Sequence, residues 1–248
     1  MYEVYFDVDH IVRDIYSEVR RILSTRPRHP DGRHHEFYTA MHGASQRLHG
    51  VRVHFNAVHS WFPAGDANAN ADYHVATCLF HMYSFSELIT FAMSAVLSVA
   101  RADCAASIMD GAERRSITAA KVLDVKHNHR YAVTFPSVVL HWNNHSDVLK
   151  SVNEYHTVTK HRQSLPVDGQ LRRDIPDSLA LYTTQHSRLC MSPYETVILG
   201  PDPLLPVTER SPHWADSELN TLEGLMAQYQ PFATGTLARL LDDLRRIS

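Results

Sequence analysis

A mainly α-helical bundle is predicted by three observations. Apolar residues recur every three or four positions over long stretches. One of these stretches is dense enough to be buried on more than one side, and the strong helix-breaking clusters fall between stretches, not inside them. With 248 residues, 44% of them hydrophobic, the chain can bury a sizeable core, and one helical domain over 1–248 is expected.

The first helix is expected over about Val4 to Leu23, where Val8, Ile11, Ile15, Val19 and Ile22 make one face. The cluster from Arg26 to Gly32, with two prolines and a glycine, stops it. A second helix follows over about His34 to Phe62, using Phe37, Met41, Leu48, Val51, Phe55, Val58 and Trp61. Gly43 and Gly50 weaken it by about 1 kcal/mol each relative to alanine, so a kink is expected near them. Asp72 is the expected N-cap of the central helix, about Tyr73 to Ala102. A short helix is expected around Arg115 to Val125, then a turn at Lys126–His129. Tyr131, Val133 and Phe135 alternate as in a strand, while Pro136 equally suits the first turn of a helix through Leu140. Ser146 is the expected cap of a helix to about Arg162. Residues 166–216 read as an irregular insertion with two strand-like runs, Ala180–Thr184 and Glu195–Leu199, forming at most a short hairpin. C-terminal helices are expected within 217–248, two of them, broken at Pro231.

Charge and cysteine content narrow the function classes. A net charge of −3 argues against a broad duplex-binding surface, though it leaves room for a local basic patch. Three widely spaced cysteines, Cys78, Cys104 and Cys190, without C-x-x-C, favour reduced thiols and a cytoplasmic location. The first residues carry acids and no signal-peptide core. The apolar run from Leu88 to Ala100 is too short to span a bilayer, so no membrane partner is expected. Trp61, Trp142 and Trp214 are expected to pack, since no basic residues alternate with them.

The compositional anomaly is histidine, with 18 residues. His35, His42 and His49 recur every seven positions, about 10.5 Å of helical rise apart. They cannot chelate one ion together, and a solvated stripe is expected. His127, His129, His141 and His145 are a better metal candidate, because a helical i, i+4 pair can share an ion. No Cys, Asp or Glu completes a familiar spacing there. His35-Glu36 fails as a zinc motif, with the next histidine at His42. Glycine-rich phosphate loops and the G-x-S-x-G elbow are absent, so no cofactor is expected.

A third histidine group lies at the end of the Ser146 helix, where His156, Lys160, His161 and Arg162 crowd together. Cations are favoured at a helix C-terminus by the macrodipole, which alone accounts for a solvated end. Residues five apart lie about 140° apart around a helix, so His156 and His161 converge only if the helix stops near Lys160 or a second subunit contributes its copy.

A long buried helix followed by one ending Tyr155-x4-Lys160-His161-Arg162 resembles the HEPN-domain family over about residues 72–165. The resemblance implies an all-α frame and a metal-independent endoribonuclease, with an Arg-x4–6-His motif at the helix end. It further implies a homodimer, RNA as substrate, and service in a bacterial toxin–antitoxin or defence system with an antitoxin or other protein partner. By position, His161 takes the family histidine, with Lys160 and Arg162 the basic residues beside it. His156 stands where the family has arginine, and Thr157 where asparagine is frequent. Cleavage would then use His161 as acid or base toward the 2′-OH, with His156 supplying a cation only when protonated. Glu87, on the central helix, either lines the same cleft or lies on an exposed rim. Two other functions stay open: a non-catalytic helical scaffold with a degenerate site, and a histidine-liganded metalloprotein.

Overall fold

The structure, a computed structural model, describes residues 4–24, 33–61, 69–100, 117–161 and 222–247. It is mainly α, and no strand occurs among the described residues. The helices are α1 (Asp9–Ser24), α2 (Arg33–Trp61), α3 (Ala69–Ala100), α4 (Ala119–Leu123), α5 (Val125–Thr134), α6 (Pro136–Asn144), α7 (Ser146–His161) and α8 (Leu222–Arg246). Residues 166–216, including both strand-like runs, lie outside the described residues.

The frame is an antiparallel pair, α2 against α3. Gly43 faces Leu88 and Gly50 faces His81, so positions run in opposite directions along the contact. The glycines let two backbones approach: a Cβ on Gly50 would lie 2.6 Å from the His81 ring, and one on Gly43 3.1 Å from the Leu88 side chain. Close packing therefore offsets their helix-propensity cost, and α2 runs unbroken where a kink was expected. Behind this pair, α3 also meets α4 and α7, while α8 packs on α1, α6 and α7. Apolar residues of α3 are buried on several sides, from Val75 through Met82, Phe85 and Ile89 to Leu97. Ser86, Thr90, Ser94 and Ser98 form a small-residue stripe on the same helix; Ser94 Oγ lies 2.8 Å from the Tyr131 hydroxyl. By length and hydropathy the stretch His74–Ser98 would reach across a bilayer, further than the shorter run suggested, and half of it is buried among these helices.

Several expected boundaries are corrected. Residues 4–8 are not helical; Val4, Phe6 and Val8 are buried in alternation before α1 begins at Asp9. Helix α3 begins at Ala69, so Asp72 lies in its first turn instead of capping it, and Ser146 is likewise the first residue of α7. The expected turn at Lys126–His129 and strand at Arg130–Phe135 are replaced by α5. Tyr131 and Phe135 are four apart as well as alternating, and both are buried while Val133 is exposed. The pre-proline Phe135 leaves helical geometry (φ −125°, ψ 56°), and Pro136 opens α6 at its first turn.

The two expected C-terminal helices are one helix, α8, with Pro231 inside it. Interior proline costs about 3 kcal/mol. Pro231 sits on the exposed side, while Tyr229, Phe232, Ala233, Leu237, Leu240 and Leu244 continue a single buried face across it. Burying such side chains is worth roughly 1.5–3 kcal/mol apiece, which outweighs the break.

Two short helices are capped by carboxylates from elsewhere. Asp243 on α8 is fully buried and accepts bonds from Ser137 N (2.9 Å) and Val138 N (3.0 Å) at the start of α6. Glu87 on α3 accepts from Ala119 N with both oxygens at 3.2 Å, at the start of α4. Neither N-cap residue, Phe135 nor Thr118, makes a side-chain cap bond, so the distant carboxylate takes the role.

Candidate functional site

Helix α7 stops at His161, as convergence of its basic end requires. Lys160 and His161 belong to its last turn; their side chains, and Arg162 altogether, lie outside the described residues. His156 is described, and it is directed at α3. Its ring stacks on Tyr83, with centroids 4.7 Å apart and planes 16° from parallel, and tilts against Phe80 at 5.9 Å. The Arg47 guanidinium, from α2, lies 4.9 Å over the same Phe80 ring. Phe80 remains 41% exposed, so an aromatic face with a cation beside it opens to solvent next to the α7 end.

Tyr83 joins this surface to Glu87. Glu87 is half-buried and bonded to Ala119, so it is not the exposed rim residue that was one of its two expected placements. Desolvation raises the Glu87 pKa, against the Ala119 amide and the Tyr83 hydroxyl, which favour the carboxylate. Tyr83 is itself pushed up by burial and by the Glu87 charge. Together they line a cavity of about 240 Å³ between α3, α4 and α7. Ser86 lies in the same lining; it is 3% exposed, and its hydroxyl has no hydrogen-bond partner among the described residues.

A histidine cluster invisible to sequence spacing lies along the α2–α3 contact. His54 Nδ1 and His74 Nδ1 are 2.8 Å apart, and the His54 and His81 rings are 5.4 Å apart. Arg47 Nη1 donates to His81 Nδ1 at 3.2 Å, which requires that nitrogen to be unprotonated. Burial, Arg47 and His54 push His81 down to about 4, and burial with the His74 charge lowers His54. Counting outward from the connection at 62–68 puts position 54 near 74–77 and 50 near 80; that mirror count was the available signal.

The histidines expected as a metal candidate are otherwise engaged. His141 Nε2 donates to the Phe232 carbonyl at 3.0 Å, its ring stacking on Phe232 at 7°, and His145 Nδ1 donates to the His141 carbonyl at 2.9 Å. His129 is exposed, and the His127 side chain lies outside the described residues. No group of three or more His, Cys, Asp or Glu among the described residues is placed to hold a metal. His35, His42 and His49 are exposed along α2, the solvated stripe expected. Trp142 is buried and donates to Thr236 Oγ1 at 3.0 Å, while Trp214 and the Trp61 side chain lie outside the described residues. Cys78 is buried and its thiol is pushed far up, which suits packing and not nucleophilic attack; Cys104 and Cys190 are outside the described residues.

No family model matches the chain, and neither a curated protein nor a solved structure is significantly similar to it.

Proposed function

We propose that this protein is a single-stranded RNA-binding component, engaging RNA where the basic end of α7 meets α3 and α2. One observation carries this reading: Tyr83, His156 and Phe80 form a run of stacked rings with Arg47 over its exposed end. Single-strand binders combine π faces on which bases stack with cations that follow the backbone. Lys160 and His161, in the adjoining last turn of α7, and Arg162 after it supply further positive charge. The overall charge of −3 fits a local surface of this kind better than a broad duplex-binding face. The HEPN resemblance adds a context, a bacterial toxin or defence system in which a homodimer sets two α7 ends face to face.

Binding without cleavage is favoured over catalysis by His156. Its ring is held in a stack against α3, and unlike the arginine of the resembled motif it carries charge only when protonated. Cleavage by His161 remains the second reading, favoured by α7 ending at that residue.

Fluorescence anisotropy with a labelled single-stranded RNA, at low salt and at pH 6 and 7.5, tests both. The wild-type protein is expected to bind, and Phe80→Ala or Arg47→Ala to weaken binding about tenfold, the order of one lost stacking contact. Circular dichroism checks the fold of each variant. Absence of RNA binding at low salt ends the reading. RNA cut by the wild type and spared by His161→Ala establishes the second reading instead.

A further inference from the structure

We infer that the cavity between α3, α4 and α7 binds a guanine-type base, as a free nucleotide or as a nucleotide of a single strand. Size comes first. A dry cavity of about 150 Å³ admits benzene, so one of about 240 Å³ has room for a bicyclic ring. The walls are flat-sided and apolar, made by Leu123 of α4 with Leu149 and Val152 of α7, as the faces of a planar heterocycle require.

Polar groups are confined to one side. Ser86 Oγ is almost wholly buried in the lining without a hydrogen-bond partner among the described residues, a state that normally costs about 1–3 kcal/mol. Such a hydroxyl is satisfied by a ligand atom. Next to it, the Glu87 carboxylate takes one amide from Ala119 and the Tyr83 hydroxyl, and two carboxylate oxygens offer about four acceptor positions. Those left over call for a ligand edge with adjacent N–H donors. Guanine presents a ring N–H beside an amino group; adenine has an acceptor at the equivalent ring position. Additional donors also favour the ionised form of Glu87, reinforcing Ala119 and Tyr83 against desolvation. At the mouth, Lys150 and Asn153 are exposed, where the phosphate of a nucleotide would lie.

Titration calorimetry on the full chain tests this with guanosine 5′-monophosphate, adenosine 5′-monophosphate, ribose 5-phosphate and a short guanine-containing RNA. Saturable binding of the guanine nucleotide is expected, at least tenfold tighter than the adenine nucleotide and without counterpart for ribose 5-phosphate. Ser86→Ala should weaken it about tenfold. Ala120→Trp should abolish it, since Ala120 is exposed on α4 and a large ring there covers the mouth without entering the core. Thermal melts confirm that both variants fold, and either folded variant alone is enough to decide. No saturable binding of nucleotide or RNA, equal affinity for ribose 5-phosphate or for the adenine nucleotide, or full binding by the folded Ala120→Trp protein overturns the inference. Competition then distinguishes the source: displacement of labelled RNA by the guanine nucleotide supports a base presented by RNA, and binding without displacement supports a free nucleotide. Nucleotide binding in a protein that does not bind RNA upholds the cavity assignment while ending the RNA-binding reading.

Discussion

Two histidines in this protein lie directly on helical glycines, and they are held in opposite ways. His81 sits over Gly50 and His141 over Gly235; a Cβ at either glycine would come within 2.6 Å of the ring. His141 uses its Nε2–H as a donor to the Phe232 carbonyl. A second proton on that ring goes to the other nitrogen and leaves the bond intact. His81 uses Nδ1 as an acceptor from a guanidinium that never deprotonates. A proton there removes the bond and sets two cations together. Similar packing thus produces one site indifferent to acid in its hydrogen bonding and one that acid breaks.

Substituting the glycines gives the largest contrast. Gly235→Ala must displace a ring fixed by a backbone carbonyl and stacked on Phe232, and a loss of about 2 kcal/mol is expected in urea denaturation. Gly50→Ala displaces a ring fixed by the longer, more yielding Arg47 side chain, and about 1 kcal/mol is expected. Gly43→Ala, facing only the Leu88 tip at 3.1 Å, should be near neutral, because the helix-propensity gain of about 1 kcal/mol offsets the crowding. A Gly50→Ala loss larger than that of Gly235→Ala would reverse the ranking of the two sites.

Acid sharpens the comparison further. An unfolded histidine takes its proton near pH 6.5, whereas folded His81 takes it near 4. Between these values the unfolded chain binds more protons, so stability present at neutral pH is lost as pH falls through this window. His54 acts in the same direction, and Glu87, raised by burial, acts in the opposite one. Comparing variants isolates the His81 part. His81→Gln should flatten the fall of melting temperature between pH 7 and 4, with His141→Gln flattening it less. Equal slopes in wild type and His81→Gln would show that Arg47 does not hold His81 neutral.

The smallest effect is expected from the exposed stripe. Replacing His35, His42 and His49 together by alanine should change stability by less than about 0.5 kcal/mol per site, as for surface substitutions that touch nothing.

Long-range periodicity made α2 and α3 legible in the sequence, because each repeats its apolar face over many turns and ends at a breaker cluster. Helix α5 was not legible: Tyr131 and Phe135 satisfy a period of two and a spacing of four equally well, and only burial against the bundle chooses. Pro231 misled for a related reason, since its local cost is visible while the continuous buried face that overrides it is tertiary. The basic end of α7 was found because its members are adjacent in sequence. Arg47, His54, His74 and His81 were not found, because they meet only through the pairing of two helices, and Ser86 gave no sign among the other small residues of α3.

The capping of α6 by Asp243 bears on the order in which the chain assembles. Ser137 and Asp243 are 106 positions apart, and a helix as short as α6 is marginal in water without outside support. During synthesis, α6 is made long before the residue that closes its first turn, and it lacks that closure until α8 docks. The middle of the chain therefore matures only after its distant end arrives.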